Sequence, residues 1–428
     1  MNESEEPDGW ASSRIDQVCK RITDGTHHSP KEQSRHGAYM YITAKNIREW
    51  GLDLSDVTFV PEVVHRPIFQ RCNPEEGDVL YIKDGATAGI AIVNPVADEF
   101  SLLSSVALLK PDRSKVDPSF LKWYLMSPVG RKAMLDQVTG SAITRLTLEI
   151  IRNSTMPLPP LAEQKRIVAK VEELLASVNA ARDRLARVPA ILKRLRQAIL
   201  AAACEGRLTE AWRDSRPGDA TTAEASTEGL PTAWRWIDLP KAGFLGRGTS
   251  RHRPRNAPEL YGGLYPFIQT GDIARSGGRV TEYRQTYNDA GLAQSRLWPT
   301  GTVCITIAAN IADSGILSYP ACFPDSVVGF IANDDVCIST FVEYFIRTAR
   351  ADLSQFAPAT AQRNINIAIL NDVQIPLPPV AEQREIVRHV EALFALADAI
   401  EKRVTVTRAR AESLQKAILM NAFSGAIV

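Results

Sequence analysis

The chain carries almost no surplus of charge. Fifty lysines and arginines stand against 49 aspartates and glutamates, leaving +1 over 428 residues. A nucleic-acid binder often shows a basic excess, so the total does not announce one, although a basic groove offset by acidic surface elsewhere is compatible with it. No run of eighteen apolar residues exists, so no membrane span is expected. The stretch Met1 to Asp8 is acidic and lacks an apolar centre, so it does not read as a secretory leader. The six cysteines, at 19, 72, 204, 304, 322 and 337, form no CxxC pair. They read as reduced, mostly buried thiols of a cytoplasmic protein, not as a disulfide framework or a zinc site. Also missing are an Asn/Asp-Pro-Pro-Tyr/Phe methyltransferase motif, a P-loop, HExxH and GxSxG.

What is present is a stretch written twice. Pro157-Leu-Pro-Pro-Leu-Ala-Glu-Gln-Lys-Arg-Ile-Val168 returns as Pro376-Leu-Pro-Pro-Val-Ala-Glu-Gln-Arg-Glu-Ile-Val387, an offset of 219. The same offset relates Ala198-Ile-Leu200 to Ala417-Ile-Leu419 and Gly206 to Gly425. Between these marks no residue is gained or lost, which asks for a structural reason.

From Ile167 the apolar residues Val171, Leu174, Val178, Ala181, Leu185, Val188, Leu192, Leu195 and Ile199 follow in alternating steps of four and three. That is a heptad seam. It repeats as Ile386, Val390, Leu393, Ala397, Ile400, Val404, Thr407, Ala411, Leu414 and Ile418. Such seams must be buried, and the simplest partner for each is the other. The order of module, helix, module, helix predicts an antiparallel pair. Pro189 removes a hydrogen bond inside the first helix, so a kink is expected there within one continuous helix. The many Lys and Arg residues on the other faces read as a solvated surface or as a stripe facing DNA or a partner.

Ahead of each helix lies a globular stretch. In the first, Trp10 to Arg21 reads as a short amphipathic element. Strand-like runs follow at 39–43, 57–60, 79–82, 90–93 and 106–109, and helical spacing covers 120–135. Loops rich in Gly, Thr, Asn and Lys separate them. The paired His27 and His28 lack Cys, Asp or Glu partners at metal-site spacing, so a ligand-facing or solvent-facing loop is expected rather than a metal site. The loop Lys83 to Gly89 has the composition of a phosphate cradle without its motif. Asp214 to Gly229 is small, polar and aperiodic, a flexible linker. The stretch after it repeats the first loosely. Trp234 stands for Trp10, Gly248-Thr249 for Gly25-Thr26, and Phe341 to Phe345 for Phe120 to Tyr124, with offsets drifting between 219 and 226. Framework positions match while loop residues differ, as expected of two recognition modules reading different things.

The doubled Pro-Leu-Pro-Pro-x-Ala-Glu-Gln-Lys/Arg-x-Ile-Val openings and the Ala-Ile-Leu…Gly endings resemble the specificity subunits of type I restriction–modification systems, over nearly the whole chain. The resemblance implies an α+β protein with two mixed α/β target recognition domains joined by two long helices in an antiparallel coiled coil, a pseudo-twofold tandem repeat. The expected boundaries are 1–156 and 230–375 for the recognition domains, 157–213 and 376–428 for the spacer helices, and 214–229 for the linker. It implies a non-catalytic, cytoplasmic subunit that binds double-stranded DNA with a bipartite target and docks two methyltransferase subunits, with restriction subunits joining through that core. No membrane and no metal are involved. S-adenosylmethionine, ATP and Mg2+ are expected in the partner subunits and no cofactor on this chain. The DNA-facing residues it implies are Thr26, His27, His28, Lys45, Asn46, Lys83, Ser141, Thr144 and Arg145 in the first domain. In the second they are Arg247, Thr249, Arg251, Arg253, Thr270, Gln362, Arg363 and Asn364. Arg and Lys suit guanine or phosphate, and Asn and Gln suit adenine. Rival readings are the specificity subunit of a type IIB-like system, a coiled-coil scaffold clamping two protein partners, and a hydrolase built on the His27/His28 loop.

Overall fold

The computed structural model describes residues 9–135, 146–216, 229–251, 254, 257–308, 312–355 and 367–426. The chain divides into two units, residues 1–186 with 404–428, and residues 187–403. Each unit therefore takes the start of one long helix and the end of the other.

Unit 1 opens with β1 (Ala11–Arg14), the single turn α1 (Ile15–Val18) and β2 (Cys19–Asp24), where the sequence predicts one amphipathic element. Pairing of β1 and β2 with distant strands overrides the local helical spacing. Next come β3 (Tyr39–Ile42), β4 (Ile47–Arg48), β5 (Gly51–Leu52), β6 (Thr58–Val60), α2 (Glu62–Cys72), β7 (Val79–Ile82), β8 (Ala91–Val93), β9 (Phe100–Leu102) and β10 (Val106–Pro111). The sequence reading finds β3, β6, β7, β8 and β10 and misses β4, β5, β9 and α2, whose interior Pro67 argues against a helix. The main antiparallel sheet runs β2-β10-β7-β8. Val106 to Leu109 at its centre are all fully buried.

The helix expected over 120–135 is two helices, α3 (Pro118–Met126) and α4 (Pro128–Leu135). Asp117 caps the first, accepting from the backbone N of Ser119 and Phe120 at 2.9 and 3.1 Å. Pro128 ends it, because the residue before a proline is pushed out of helical geometry; Ser127 is extended. The unit continues through α5 (Leu148–Asn153) and β11 (Thr155–Leu158), which pairs with β1, into α6 (Leu161–Cys204).

After α7 (Glu210–Asp214), unit 2 repeats the plan with β12 (Arg235–Asp238), α8 (Leu239–Ala242), β13 (Gly243–Arg247), β14 (Tyr261–Phe267), α9 (Thr270–Arg275), β15 (Arg279–Val280), β16 (Gln285–Tyr287), α10 (Asp289–Ala293), β17 (Val303–Thr306), β18 (Ser314–Leu317), β19 (Val327–Ala332), α11 (Ser339–Gln355), α12 (Ile367–Asn371), β20 (Gln374–Leu377) and α13 (Val380–Ala422). Its sheet runs β13-β19-β17-β18-β15, the order of unit 1 with one strand added. β12 pairs with β20 as β1 pairs with β11.

The doubled motif is the joint between module and helix. Gln164 is fully buried. Its Oε1 accepts from Asp117 N at 2.8 Å, and its Nε2 donates to Lys115 O and Pro159 O at 3.0 and 2.8 Å. Gln383 does the same in unit 2, with Ile338 N at 2.9 Å, Val336 O at 3.0 Å and Pro378 O at 2.8 Å. One amide side chain thus satisfies three backbone groups where the helix meets the recognition module.

In unit 1, Arg182 donates to Gln415 at 3.0 Å. Ile418, Leu419, Ala422 and Phe423, later on α13, share a core with Ile167 and Val171, earlier on α6. In unit 2, Arg196 pairs with Asp398 and Glu401, and the later Ile199 and Leu200 share a core with the earlier Ile386 and Val390. The helix segments run antiparallel within each unit, as the sequence predicts. α6 stays helical through Pro189.

The seam needs correction. Past Ile167 and Ile386, which are buried in the cores of their units, the buried positions fall on every second step: Val171, Val178, Leu192 and Ile199 on α6, and Val390, Ala397, Val404 and Ile418 on α13. The alternate row is more open: Leu174 and Val188 are half-buried, Leu195 is 43% exposed, Leu393 and Ile400 36%, and Leu414 52%. One row of each seam is therefore covered more fully than the other.

Candidate nucleic-acid interface

Sheet topology collects the loops. In unit 1, β2 and β7 end, and β8 and β10 begin, at one rim of the main sheet, because Asp24 pairs with Ala107 and Ile82 with Val106. β3 and β9 run parallel and end beside the same rim, where Leu103 N donates to Ile42 O at 3.0 Å. Loops 23–29, 43–46 and 83–89 therefore converge although the sequence separates them. Backbone bonds knit them: Thr26 N to Leu102 O at 2.8 Å, Lys83 N to Ser105 O at 2.9 Å, and Leu146 N to Lys83 O at 2.9 Å.

The expected DNA-facing residues divide on this rim. His27, His28 and Lys45 are exposed, and Thr26 is half-buried with its Oγ1 donating to His28 O at 3.1 Å. Asn46 is buried and turned inward. Its Oδ1 accepts from Thr43 N at 3.0 Å and its Nδ2 donates to Asp53 O at 3.2 Å, so it holds the turn and does not face a ligand. Lys83, expected on a surface loop, is also buried, with Nζ 3.7 Å from Asp24 and 2.9 Å from Asp84. Ser141, Thr144 and Arg145 lie outside the described residues, as do Arg253, Gln362, Arg363 and Asn364.

Unit 2 builds the same rim. β13 and β17 end there, β18 and β19 begin there, and the end of β14 joins through Ile268 N to Cys322 O at 2.8 Å. Arg247 and Arg251 are exposed, while Thr249 and Thr270 are half-buried. The segment after α10 is drawn alongside: Ser295 Oγ donates to Thr249 O at 2.7 Å, and Gln294 Oε1 accepts from Arg251 N at 2.6 Å. Arg296, next in that segment, lies over the Trp298 ring at 4.1 Å, which fixes its guanidinium in place.

Sequence reasoning misses Arg71, Arg131 and Arg296. Arg71, at the end of α2, donates from Nη2 to Asp24 Oδ1 and to His27 Nε2, each at 2.8 Å. Arg131 on α4 reaches Gly89 O at 3.3 Å. No local pattern marks Arg71 and Arg131, because their partners lie some 40 residues away or more.

Two constellations that suggest other chemistry have different roles. The pair at His27/His28 engages Arg71, and among the described residues no group of three or more His, Cys, Asp or Glu is placed to hold a metal ion. Ser101, His65 and Glu99 line up at 3.0 and 3.2 Å in the manner of an acyl-transfer triad. Ser101 and His65 are fully buried, however, and the imidazole stacks on Tyr39 at 3.8 Å. They are packed interior groups that a substrate does not reach. No helix among the described residues is long and apolar enough to cross a membrane.

Two sheets of one topology, each gathering polar and basic loops at one rim, match a known family. The model of the type I restriction modification DNA specificity domain fits residues 7–189 and again 250–406, more than half the chain. The chain belongs to this family. It is 27% identical to the EcoKI specificity subunit of Escherichia coli strain K12 over 99% of this chain and 90% of that one. It is 28% identical to the StySPI specificity subunit of Salmonella potsdam with the same coverage. The crystal structure of the HsdS subunit from Thermoanaerobacter tengcongensis superposes with a TM-score of 0.64 over 99% of both chains at 22% identity. A structure solved for complex assembly and conformational transition of the type I R-M system gives 0.72 at the same identity and coverage. At that identity the two structures show a shared fold. Each match takes in most of one module and the first part of the long helix that leaves it, α6 in the first and α13 in the second.

Proposed function

We propose that each unit reads one half of a two-part DNA target with the loops gathered at its sheet rim. The observation that carries this is the duplication itself. Two sheets of the same strand order present different side chains at the same rim, Thr26, His27, His28 and Lys45 in one, Arg247, Thr249, Arg251 and Thr270 in the other. A shared frame with different rims is what two different half-sites require, since base edges are read by side chains and phosphates only fix position. The offset of 219 keeps the two helices matched in length, which supports a role for them in setting the spacer between half-sites.

The chain binds no cofactor in this reading. Methyl transfer and cleavage belong to methyltransferase and restriction subunits, which carry S-adenosylmethionine, ATP and Mg2+, in the cytoplasm. The methyltransferase subunits dock on the open apolar rows of α6 and α13, where Leu195, Leu393, Ile400 and Leu414 offer surface that a soluble helix pair would otherwise cover. Exchange of residues 230–375 for those of a relative tests the reading. One half of the methylated target should change and the other should persist. A scaffold that clamps two proteins without reading DNA gives no sequence-selective methylation in either case.

A further inference from the structure

The rim of unit 1 is built over a buried ionic cluster whose two central positions carry other residues in unit 2. Asp24, at the end of β2, is 2% exposed and Lys83, at the end of β7, is 3% exposed. The Asp24 carboxylate accepts from Arg71 Nη2 at 2.8 Å through one oxygen and faces Lys83 Nζ at 3.7 Å through the other. Arg71 Nε also donates to Asp24 O and Gly25 O at 3.3 and 3.1 Å. Its Nη2 donates to His27 Nε2, which fixes that nitrogen as the acceptor and orients the ring. Lys83 continues to Asp84 at 2.9 Å, and its carbonyl receives Leu146 N. One carboxylate thus links the loop that follows β2 to Lys83, whose backbone carbonyl holds the segment arriving at 146.

Strand register identifies the counterparts. Asp24 pairs with Ala107 and Ile82 with Val106 in unit 1, while Arg247 pairs with Val328 and Thr306 with Val327 in unit 2. The bond from Lys83 N to Ser105 O recurs as Ile307 N to Ser326 O at 3.0 Å. Asp24 therefore corresponds to Arg247, which is exposed, and Lys83 to Ile307, which is 3% exposed. The same fold closes over an isoleucine at this position. A buried ion pair adds little stability over an apolar group of similar size, because both charges lose their water. The fold does not need the charges, and what they do uniquely is tie loops together.

We propose that Asp24 and Lys83 are positioning residues for half-site recognition by unit 1. They hold the loop bearing Thr26, His27 and His28 in one register with the loop after β7, and so set which bases unit 1 accepts. The inference rests on the proposed function, and its test separates the two.

The experiment is methylome sequencing of cells carrying the whole system with wild-type chain, with Lys83→Ile, or with Asp24→Asn, plus thermal unfolding of each purified complex. Lys83→Ile copies the residue that unit 2 buries and leaves Asp24 paired to Arg71, so it carries the test even if Asp24→Asn lowers yield. The expected result is a target whose unit 1 half becomes degenerate, with methylation of single-mismatch sites in that half rising about tenfold, consistent with the usual discrimination per base pair. The other half stays intact and the unfolding midpoint moves little. Asp24→Asn, which also weakens the hold on Arg71, relaxes the same half further. A target unchanged in both halves, or both halves degrading together, overturns the proposal. A wild-type system that methylates no two-part target overturns the reading of function beneath it.

Discussion

The indole N–H of Trp10 donates to Oε1 of Glu163 at 3.0 Å, and 219 residues beyond Glu163 the carboxylate of Glu382 accepts from the indole of Trp234 at the same 3.0 Å. With Gln164 and Gln383 beside them, these bonds account for the Glu-Gln at the heart of the doubled motif. A tryptophan at the entrance to each module is bound to the first turn of the helix that leaves it. The module is thereby closed on itself and the exit direction of the helix is fixed.

Removing that joint should be costly. Gln383→Ala strands Ile338 N and two carbonyls in the interior, and a buried group left without its partner costs about 1–3 kcal/mol. Thermal or urea unfolding of the complex should show a loss of about 3 kcal/mol for Gln383→Ala and a similar loss for Gln164→Ala. A change within 0.5 kcal/mol, as is usual for surface substitutions, would deny the joint its role.

The end of α13 completes the core of unit 1. Phe423 is 4% exposed, and its ring lies 5.1 Å from Phe120 and 5.6 Å from Tyr124. Phe423→Ala should destabilise unit 1 by about 3–5 kcal/mol, the range for buried aromatics cut to alanine. Limited proteolysis should then cut within 9–135 sooner than within 229–308.

The open rows on the helices predict a separation of stability from assembly. Leu393→Glu and Leu414→Glu place charge on surface that is already 36% and 52% exposed, so the unfolding midpoint should hold. Sedimentation with the methyltransferase subunit should show weakened association. Full association by both variants would contradict docking on these rows.

All six cysteines are buried. Burial pushes the thiols of Cys19 and Cys204 up to about 12, and those of Cys72 and Cys337 up to about 11. The thiolate is the reactive form, so raising the pH from 7 to 9 should leave these four thiols protonated and unlabelled by iodoacetamide in the folded protein. Unfolding in urea should expose all six to labelling, read by mass.

Much of this fold is legible in the sequence because duplication reveals frame and variation together. The helices, the strands at 79–82 and 106–109 and the position of the two modules follow from periodicity and the 219 offset. The stretch 10–21 misleads because its helical spacing is local while the partners of β1 and β2 are distant. The seam misleads in a different way: a heptad pattern says which side chains are apolar and does not say how many partners cover them. Site residues are the least legible. Lys83 and Asn46 have the composition of ligand-facing loops, yet one closes an ionic cluster with Asp24 and the other holds a turn through Thr43 and Asp53. Arg71 gives no sign of itself until β2 and α2 are brought together.

The most direct test of the central claim is methylome sequencing before and after exchange of residues 230–375 for those of a relative. The account predicts a two-part target in which the exchange replaces one half and preserves the other. Replacement of both halves, or of neither, would contradict it.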